Sequence, residues 1–245
     1  MSEVPVQLSI VMPAYNEEVA IAAAVDDILR DVVPHVASAE IVVVNDGSKD
    51  RTLAILQEIA VREPRLTIID RQNGGHGPAV ITGLNAARGE NLLQLDSDRQ
   101  IDLSDFAAAW AAYSQADALI GIRADRKDGL VRAIISRTMR IVLRVMFGRV
   151  PRDPNIPFKL VKRADWRRAA PAIGDNNPLP SVLLALHLAK SGAKIVQFPI
   201  RHRAREGSVS ELRGWKLMKF CMLAGRTLLA FRMKPEVRAL RARTA

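Results

Sequence analysis

Asp96 and Asp98, in Leu95-Asp96-Ser97-Asp98-Arg99-Gln100, stand one residue apart just after the apolar run Asn91 to Leu95, which reads as a buried strand. Two carboxylates placed where a strand opens into a loop make a hard oxygen-donor pair. Such a pair suits Mg²⁺ or Mn²⁺, ions that keep positions open for the phosphates of a substrate. An isolated Asp-x-Asp is more often loop punctuation or a helix cap. This one gains its meaning from the elements that position it.

Those elements read as an α/β unit. Leu8 to Met12 is a short apolar strand broken by Pro13, and Glu17 to Arg30 follows as a helix with Ile21, Val25, Ile28 and Leu29 on one stripe. Ile41 to Val44 is a continuous β-branched run, the pattern of a strand buried on both faces. Asn45-Asp46-Gly47-Ser48 then turns into a second helix, with Ser48 or Asp50 as candidate caps. Leu66 to Ile69 gives a third strand, Gly77 to Ala87 a third helix, and Asn91 to Leu95 and Ala118 to Ile120 further strands. Alternating strands and helices imply a mostly parallel sheet covered on both faces.

In such sheets ligands gather beyond the carboxyl ends of the strands. Polar groups fall there after each of the first four strands: Asn16 and Glu17, then Asp46, then Asn73 to Gly77, then Asp96 and Asp98. Asp46 could accept hydrogen bonds from a base or ribose while the carboxylate pair handles a diphosphate; taken alone it reads better as a turn residue. No Gly-x-Gly-x-x-Gly follows the first strand, and no Gly-x-x-x-x-Gly-Lys-Ser/Thr or Gly-x-Ser-x-Gly is present, which removes the main support for dinucleotide, P-loop and hydrolase readings.

At 245 residues the chain can hold one sizeable core. Its single cysteine, Cys221, excludes an internal disulfide framework and fits a reducing compartment. The start lacks a basic stretch followed by an apolar core, so no signal peptide is expected. The net charge of +10 conceals an asymmetry: residues 1–120 hold 8 Lys/Arg against 18 Asp/Glu, and residues 121–245 hold 28 against 8. Such segregation turns the second half toward an anionic partner. Aromatic content of only 4% argues against stacking on single-stranded nucleic acid, and no duplex-recognition motif is present, so nucleic acid is not the expected partner.

Taken together, Met12-Pro13-Ala14-Tyr15-Asn16-Glu17-Glu18, Val44-Asn45-Asp46-Gly47-Ser48-Lys49-Asp50 and Asp96-Ser97-Asp98-Arg99-Gln100 resemble an inverting family-two glycosyltransferase of the GT-A fold, in order and spacing. Within that family the chain most resembles the branch of dolichol-phosphate mannose synthase and its bacterial polyprenyl-phosphate relatives. The match continues through Gly121-Ile122-Arg123, Arg132 to Ser136 and Asp153 to Lys162, covering roughly residues 7–215. The resemblance implies a Rossmann-like GT-A domain over residues 1–212, divided into a nucleotide-binding half (1–120) and an acceptor half (121–212). A basic amphipathic helix and tail follow at 213–245.

It further implies a UDP- or GDP-sugar donor, with Pro13, Ala14, Tyr15 and Glu17 on the nucleoside, Asp46 on the base or ribose side, and Gly75 in a loop near the donor. Asp96, Asp98 and Gln100 would hold Mg²⁺ or Mn²⁺ on the diphosphate. Arg123, Arg132 and Ser136 match positions that meet the acceptor phosphate of a polyprenyl or dolichyl phosphate. Arg203 and Arg205, in the basic loop Arg201 to Ser208, are candidate diphosphate clamps, and His202 is expected to support that loop rather than move a proton. Asp153 is the candidate base if the acceptor is a soluble or lipid-headgroup hydroxyl. The chain departs from the pattern at Ser210-Glu211, where Ser-Lys is usual, and at Asp153 to Lys159, where mannose synthases carry a Thr-Gly-Ser-Phe-type stretch. A non-catalytic nucleotide-sugar binding protein is the alternative of another class, and the intact Asp96, Asp98 and Gln100 speak against it.

Leu130 to Phe147 reads as a helix on which Arg132, Ser136, Arg137, Arg140 and Arg144 fall within an arc of about 140° at 100° per residue. Trp215 to Phe231 is a second apolar helix, interrupted by Lys219 and Arg226, and Arg232 to Ala245 adds a basic tail. The pattern suits helices lying at an anionic membrane surface rather than spanning it. The first helix also suits an internal position with its arginines pointing into an anion site, and both suit packing as a homodimer or core element. A cytoplasmic enzyme, peripheral on the inner face of the membrane, is the resulting expectation.

Overall fold

The computed structural model describes residues 5–123, 141–148, 150–203 and 215–242. One seven-stranded sheet runs through it. Strands β1 (Leu8–Ala14), β2 (Ala39–Asn45), β3 (Leu66–Asp70), β4 (Asn91–Gln94), β5 (Ala118–Arg123), β6 (Lys159–Lys162) and β7 (Ile195–Ile200) lie in the order β3-β2-β1-β4-β6-β5-β7. All pairs are parallel except those of β6, which runs antiparallel between β4 and β5. The helices are α1 (Ile21–Asp31), α2 (Thr52–Arg62), α3 (His76–Ala86), α4 (Phe106–Tyr113), a helical segment α5 (141–147), α6 (Arg163–Ile173), α7 (Pro180–Lys190), α8 (Trp215–Met233) and α9 (Pro235–Ala242).

Each sheet face carries its own core, because successive side chains of a strand point to opposite faces. Ile10 and Met12 of β1 join Ile21, Val25, Ile28 and Phe106 on one side; Val11 joins Val80, Leu84, Trp166, Leu183 and Leu186 on the other. Each such buried aliphatic side chain is worth about 1.5–3 kcal/mol of transfer free energy. The C-terminal helices belong to the second face: Leu228, Phe231 and Val237 pack there, with the Phe231 ring 6.2 Å from that of Phe147.

The observed elements differ from expectation where hydrogen bonds, not hydrophobicity, decide. Pro13 does not end β1. The Val11 carbonyl accepts from Leu95 and the Ala14 carbonyl from Asp46, so Pro13 turns its donor-less nitrogen toward β4 just past the end of that strand. Helix α1 starts at Ile21 instead of Glu17, because residues 18–20 form a turn in which the Glu17 carbonyl accepts from Ala20 and Ile21. Asp50 accepts from the Thr52 amide at the start of α2, whereas the Ser48 hydroxyl is spent on the Asn16 amide. Strand β5 runs on past Ile120 to Arg123, and the strand expected over Ile195 to Phe198 runs on to Ile200. Strand β6 and helices α4, α6 and α7 are not among the elements expected from the sequence. Of the helix expected over 130–147, residues 130–140 lie outside the described residues, and 141–147 is helical.

Candidate functional site

The carboxyl ends of β1 to β4 and the start of α3 enclose a cleft of about 390 Å³, lined by Pro13, Ala14, Tyr15, Glu17, Asp46, Asn73, Gly75, His76, Ala79, Asp96, Ser97 and Asp98. The sequence singles out eight of these from four separated segments, and the fold brings them to one wall.

The loops on the β1–β3 side are laced together. Asn16 takes a left-handed backbone (φ 54°), which places its amide on the Ser48 hydroxyl and its side-chain carbonyl under the Lys49 amide. The Glu17 and Glu18 amides donate to Thr52 Oγ1 and to the Asp50 carboxylate. Asp46 is buried, and its two oxygens accept from the amides of Gly74 (3.0 Å) and Gly75 (2.8 Å), with Arg71 Nε 3.3 Å away. Asp46 therefore shapes the 73–75 loop as well as facing the cleft. Gly75, at φ 94°, leads this loop into α3 with a backbone that other residues rarely adopt. Gly77 answers a different need: a Cβ there would stand 2.2 Å from the Asn177 carbonyl, so α3 lies hard against the loop before α7.

Asp96 and Asp98 occupy the floor. Asp96 Oδ1 is buried without a hydrogen-bond partner, 3.7 Å from His76 Nε2. Burial pushes this carboxyl up to about 6; the charge of Asp98 adds to the rise, and His76, Lys159 and Arg123 oppose it. Asp98 Oδ1 accepts only the Gln100 amide among the bonds described, and Gln100 is tied in through its backbone, its carbonyl accepting from the Arg203 amide. Arg99, between them, is held at φ 57°. Its guanidinium reaches back 72 residues to grip Asp27 of α1 with both carboxylate oxygens, at 2.7 and 3.2 Å. Burial alone would raise the Asp27 carboxyl, but the bonds from Arg99 and Arg30 outweigh it and hold it below its usual value. This latch keeps the turn in a strained conformation and aims Asp98 at the cleft.

An orphaned, buried carboxylate oxygen beside a second carboxylate fits a divalent cation. Among the described residues no third acidic, histidine or cysteine side chain completes a ligand cluster.

On the far side of β4 the antiparallel β6 brings Lys159, which the sequence does not single out, close to the expected Arg123 and Asp153. Arg123, at the end of β5, pairs with the buried Asp153 at 2.9 Å. Lys159, fully buried, donates to Ser181 Oγ (2.5 Å) and to the Ile156 carbonyl. Burial drives its amine down to about 7, against the pull of Asp153 and Asp96 and with a smaller push from Arg123. Its neighbour in register is Gln94 of β4, two residues before Asp96, so the two sides of the site share one polar strip. A lone lysine inside the apolar run Ile156 to Val161 was the available signal for it.

His202 bridges Ile101 through its backbone, and burial followed by Arg123 holds its imidazole below the usual range despite Asp98 and Asp153. Arg203 pairs with Asp102 at 3.2 Å. Burial would raise Asp102, but bonds from Ser104 and Arg203 bring it to about 2. Arg132, Ser136 and Arg205, like Ser210 and Glu211, lie outside the described residues.

A sheet of this order, with its cleft at the carboxyl edge and an aspartate pair on the floor, is that of a GT-A glycosyltransferase. The match to the family described as Glycosyl transferase family 2 spans residues 9–177, and the chain belongs to that family. It is 29% identical over 210 residues to a dodecaprenyl-phosphate galacturonate synthase of Rhizobium johnstonii, covering 84% of this chain and 61% of that protein. It is likewise 29% identical over 231 residues to a dolichyl-phosphate beta-glucosyltransferase of Trichomonas vaginalis, covering 85% and 69%. Among the first curated relatives it matches, the chain spans between 30% and 69% of their length. In fold it resembles glucosyl-3-phosphoglycerate synthase from Mycobacterium tuberculosis, solved with uridine diphosphate (TM-score 0.64, 22% identity, 94% of this chain and 81% of that one). It also resembles a mannosyltransferase from Pyrobaculum calidifontis, solved with GDP-mannose and Mn²⁺ (TM-score 0.62, 19% identity, 98% and 70%).

Proposed function

We propose that this protein transfers a hexose, with inversion, from a UDP- or GDP-sugar to a polyprenyl or dolichyl phosphate. The observation that carries the reading is the shared floor of the cleft, where the orphaned Asp96 oxygen and Asp98 face the Tyr15–Asp46 wall on one side and Arg123 on the other. Relatives named for lipid-phosphate acceptors support the acceptor, and neighbours solved with nucleotides support the donor.

In this reading Pro13, Ala14, Tyr15, Glu17, Asp46 and Gly75 hold the nucleoside, and Asp96 and Asp98, with Gln100, hold Mg²⁺ or Mn²⁺. The ion, when bound, neutralises charge that develops on the leaving diphosphate. Arg203 and Arg205 clamp that diphosphate once Arg203 leaves Asp102. An acceptor phosphate oxygen bonds to the anomeric carbon as the bond from that carbon to the diphosphate oxygen breaks, and its electron pair leaves with the nucleoside diphosphate. The nucleophile is already an anion, so no base is needed; Arg123, with Arg132 and Ser136, offsets the repulsion between the two anionic substrates. A second reading is transfer to a hydroxyl, in which Asp153, buried beside Arg123, would serve as the base.

The division at residue 212 into a GT-A domain and a basic helical tail is part of the same proposal. So is contact with an anionic membrane surface. No helix among the described residues is long and apolar enough to cross a membrane. Outward, however, α5 exposes Ile141, Val142 and Val145 and α8 exposes Met222, Leu223, Leu229 and Met233, with Arg144 and Arg226 among them. Apolar side chains interleaved with cations suit an interfacial helix pair, and a homodimer across this face is the other arrangement such a surface permits.

The test is turnover of a panel of UDP- and GDP-sugars with Mn²⁺ or Mg²⁺, with and without a short-chain polyprenyl phosphate. Nucleoside diphosphate released only with the lipid present supports the synthase and names the sugar. Donor binding without lipid-stimulated turnover rejects that acceptor and makes Asp153 the first base to test.

A further inference from the structure

A buried lysine is costly, and Lys159 has no carboxylate among its direct hydrogen-bond partners. For stability alone, methionine of similar length would serve as well or better in its slot. Its two partners explain what the amine does instead. Ile156 lies in the 150–158 loop that carries Asp153, and Ser181 lies in the first turn of α7. Among the described residues the same loop is also held by the Arg123–Asp153 pair, by the Ile156 amide on the Asp153 carbonyl, by the Arg152 amide on the Gln197 side chain, by the Gly121 amide on the Phe158 carbonyl, and by burial of Ile156 and Phe158 in the core. None of these bonds reaches α7.

We propose that Lys159 is a positioning residue, pinning the loop that carries Asp153 to α7 and so setting the Arg123–Asp153 pair against the Asp96–Asp98 floor. Both the ammonium and the neutral amine have enough N–H groups to bond Ile156 and Ser181, so the tether does not depend on protonation. The lysine touches no substrate; it acts through Asp153 and Arg123. The inference rests on the glycosyl-transfer reading for its consequence in turnover but not for the tether itself.

The experiment compares wild type with Lys159→Met, Asp153→Asn and the double variant. Lys159→Met is expected to be at least as stable as wild type and to bind Mn²⁺ with UDP or GDP within about threefold of it. Amide exchange across 153–158 should quicken, and turnover at saturating donor should fall about 100-fold, as a misplacement near 1 Å does. In the Asp153→Asn background the same change should add little, because the effect passes through Asp153. Wild-type turnover and unchanged loop exchange in Lys159→Met would overturn the proposal, as would an undiminished loss in the Asp153→Asn background. Should Lys159→Met fail to fold, Ser181→Ala removes one partner while keeping the amine: faster exchange at 153–158 supports the tether and unchanged exchange rejects it. If wild type transfers no sugar while Lys159→Met still loosens the loop, the proposed function fails and the tether stands.

Discussion

From β3 to β4 the cleft loops are fixed by side chains that grip backbone amides: Asp46 on Gly74 and Gly75, Ser48 on Asn16, Thr52 on Glu17. From β6 to β7 the fixed points are charged groups, with Arg123 on Asp153 and a buried Lys159 beneath them. The first construction suits a site that must present a constant shape to a rigid ligand. The second gathers charge where two anionic substrates would meet, and a buried pair of this kind costs more when one partner is lost.

That contrast can be broken most forcefully at its centre. Asp98→Ala should lower sugar transfer by about 10²–10³-fold and abolish Mn²⁺ binding read by paramagnetic resonance, while leaving stability to urea nearly unchanged. Retained Mn²⁺ binding would remove the ion from the β1–β4 side. On the other side, Arg123→Met strands the buried Asp153 carboxylate and should cost about 2–3 kcal/mol in urea unfolding. Affinity for Mn²⁺ with UDP or GDP should hold, and the KM for acceptor phosphate should rise. Equal damage to nucleotide binding would mean that the two sides are not separable.

A subtler change sharpens the first side. Asp27→Asn loosens the Arg99 latch without touching the cleft, and Mn²⁺ affinity measured by calorimetry should drop about tenfold. A pH slope tests the other side. Burial lowers the Lys159 amine from 10.5 to about 7 in the folded chain. Between those values the unfolded chain holds the extra proton, so raising pH favours folding by this group. Unfolding by urea at several pH values from 7 to 10 should show that gain in wild type relative to Lys159→Met.

The same contrast explains what could be read from the residues in order. The β1–β4 side is local: each strand is followed at once by the loop that bears its polar groups, so Asp46, Asp96 and Asp98 announce themselves. Lys159 does not, because Lys159–Lys162 is four residues long with a charge at each end and pairs antiparallel between strands that precede it by tens of residues. The Arg99–Asp27 latch, 72 residues apart, is hidden for the same reason. Pro13 misleads in the opposite direction, since the usual strand-breaking rule yields where the neighbouring ladder has already ended.

The placement of β6 also dictates how the chain comes together during synthesis. Strand β5 pairs only with β6 and β7, so residues 118–123 emerge from the ribosome with no partner until residue 159 and beyond have followed. Until then β4 offers an open apolar edge, Leu92 and Leu93 among it. The first half can close around β1 to β4 meanwhile, but the nascent chain carries one unpaired strand and one open edge for some forty residues of translation. An unpaired edge is a template for foreign strands, so β6, arriving late, is also the element that closes the β4 edge against them.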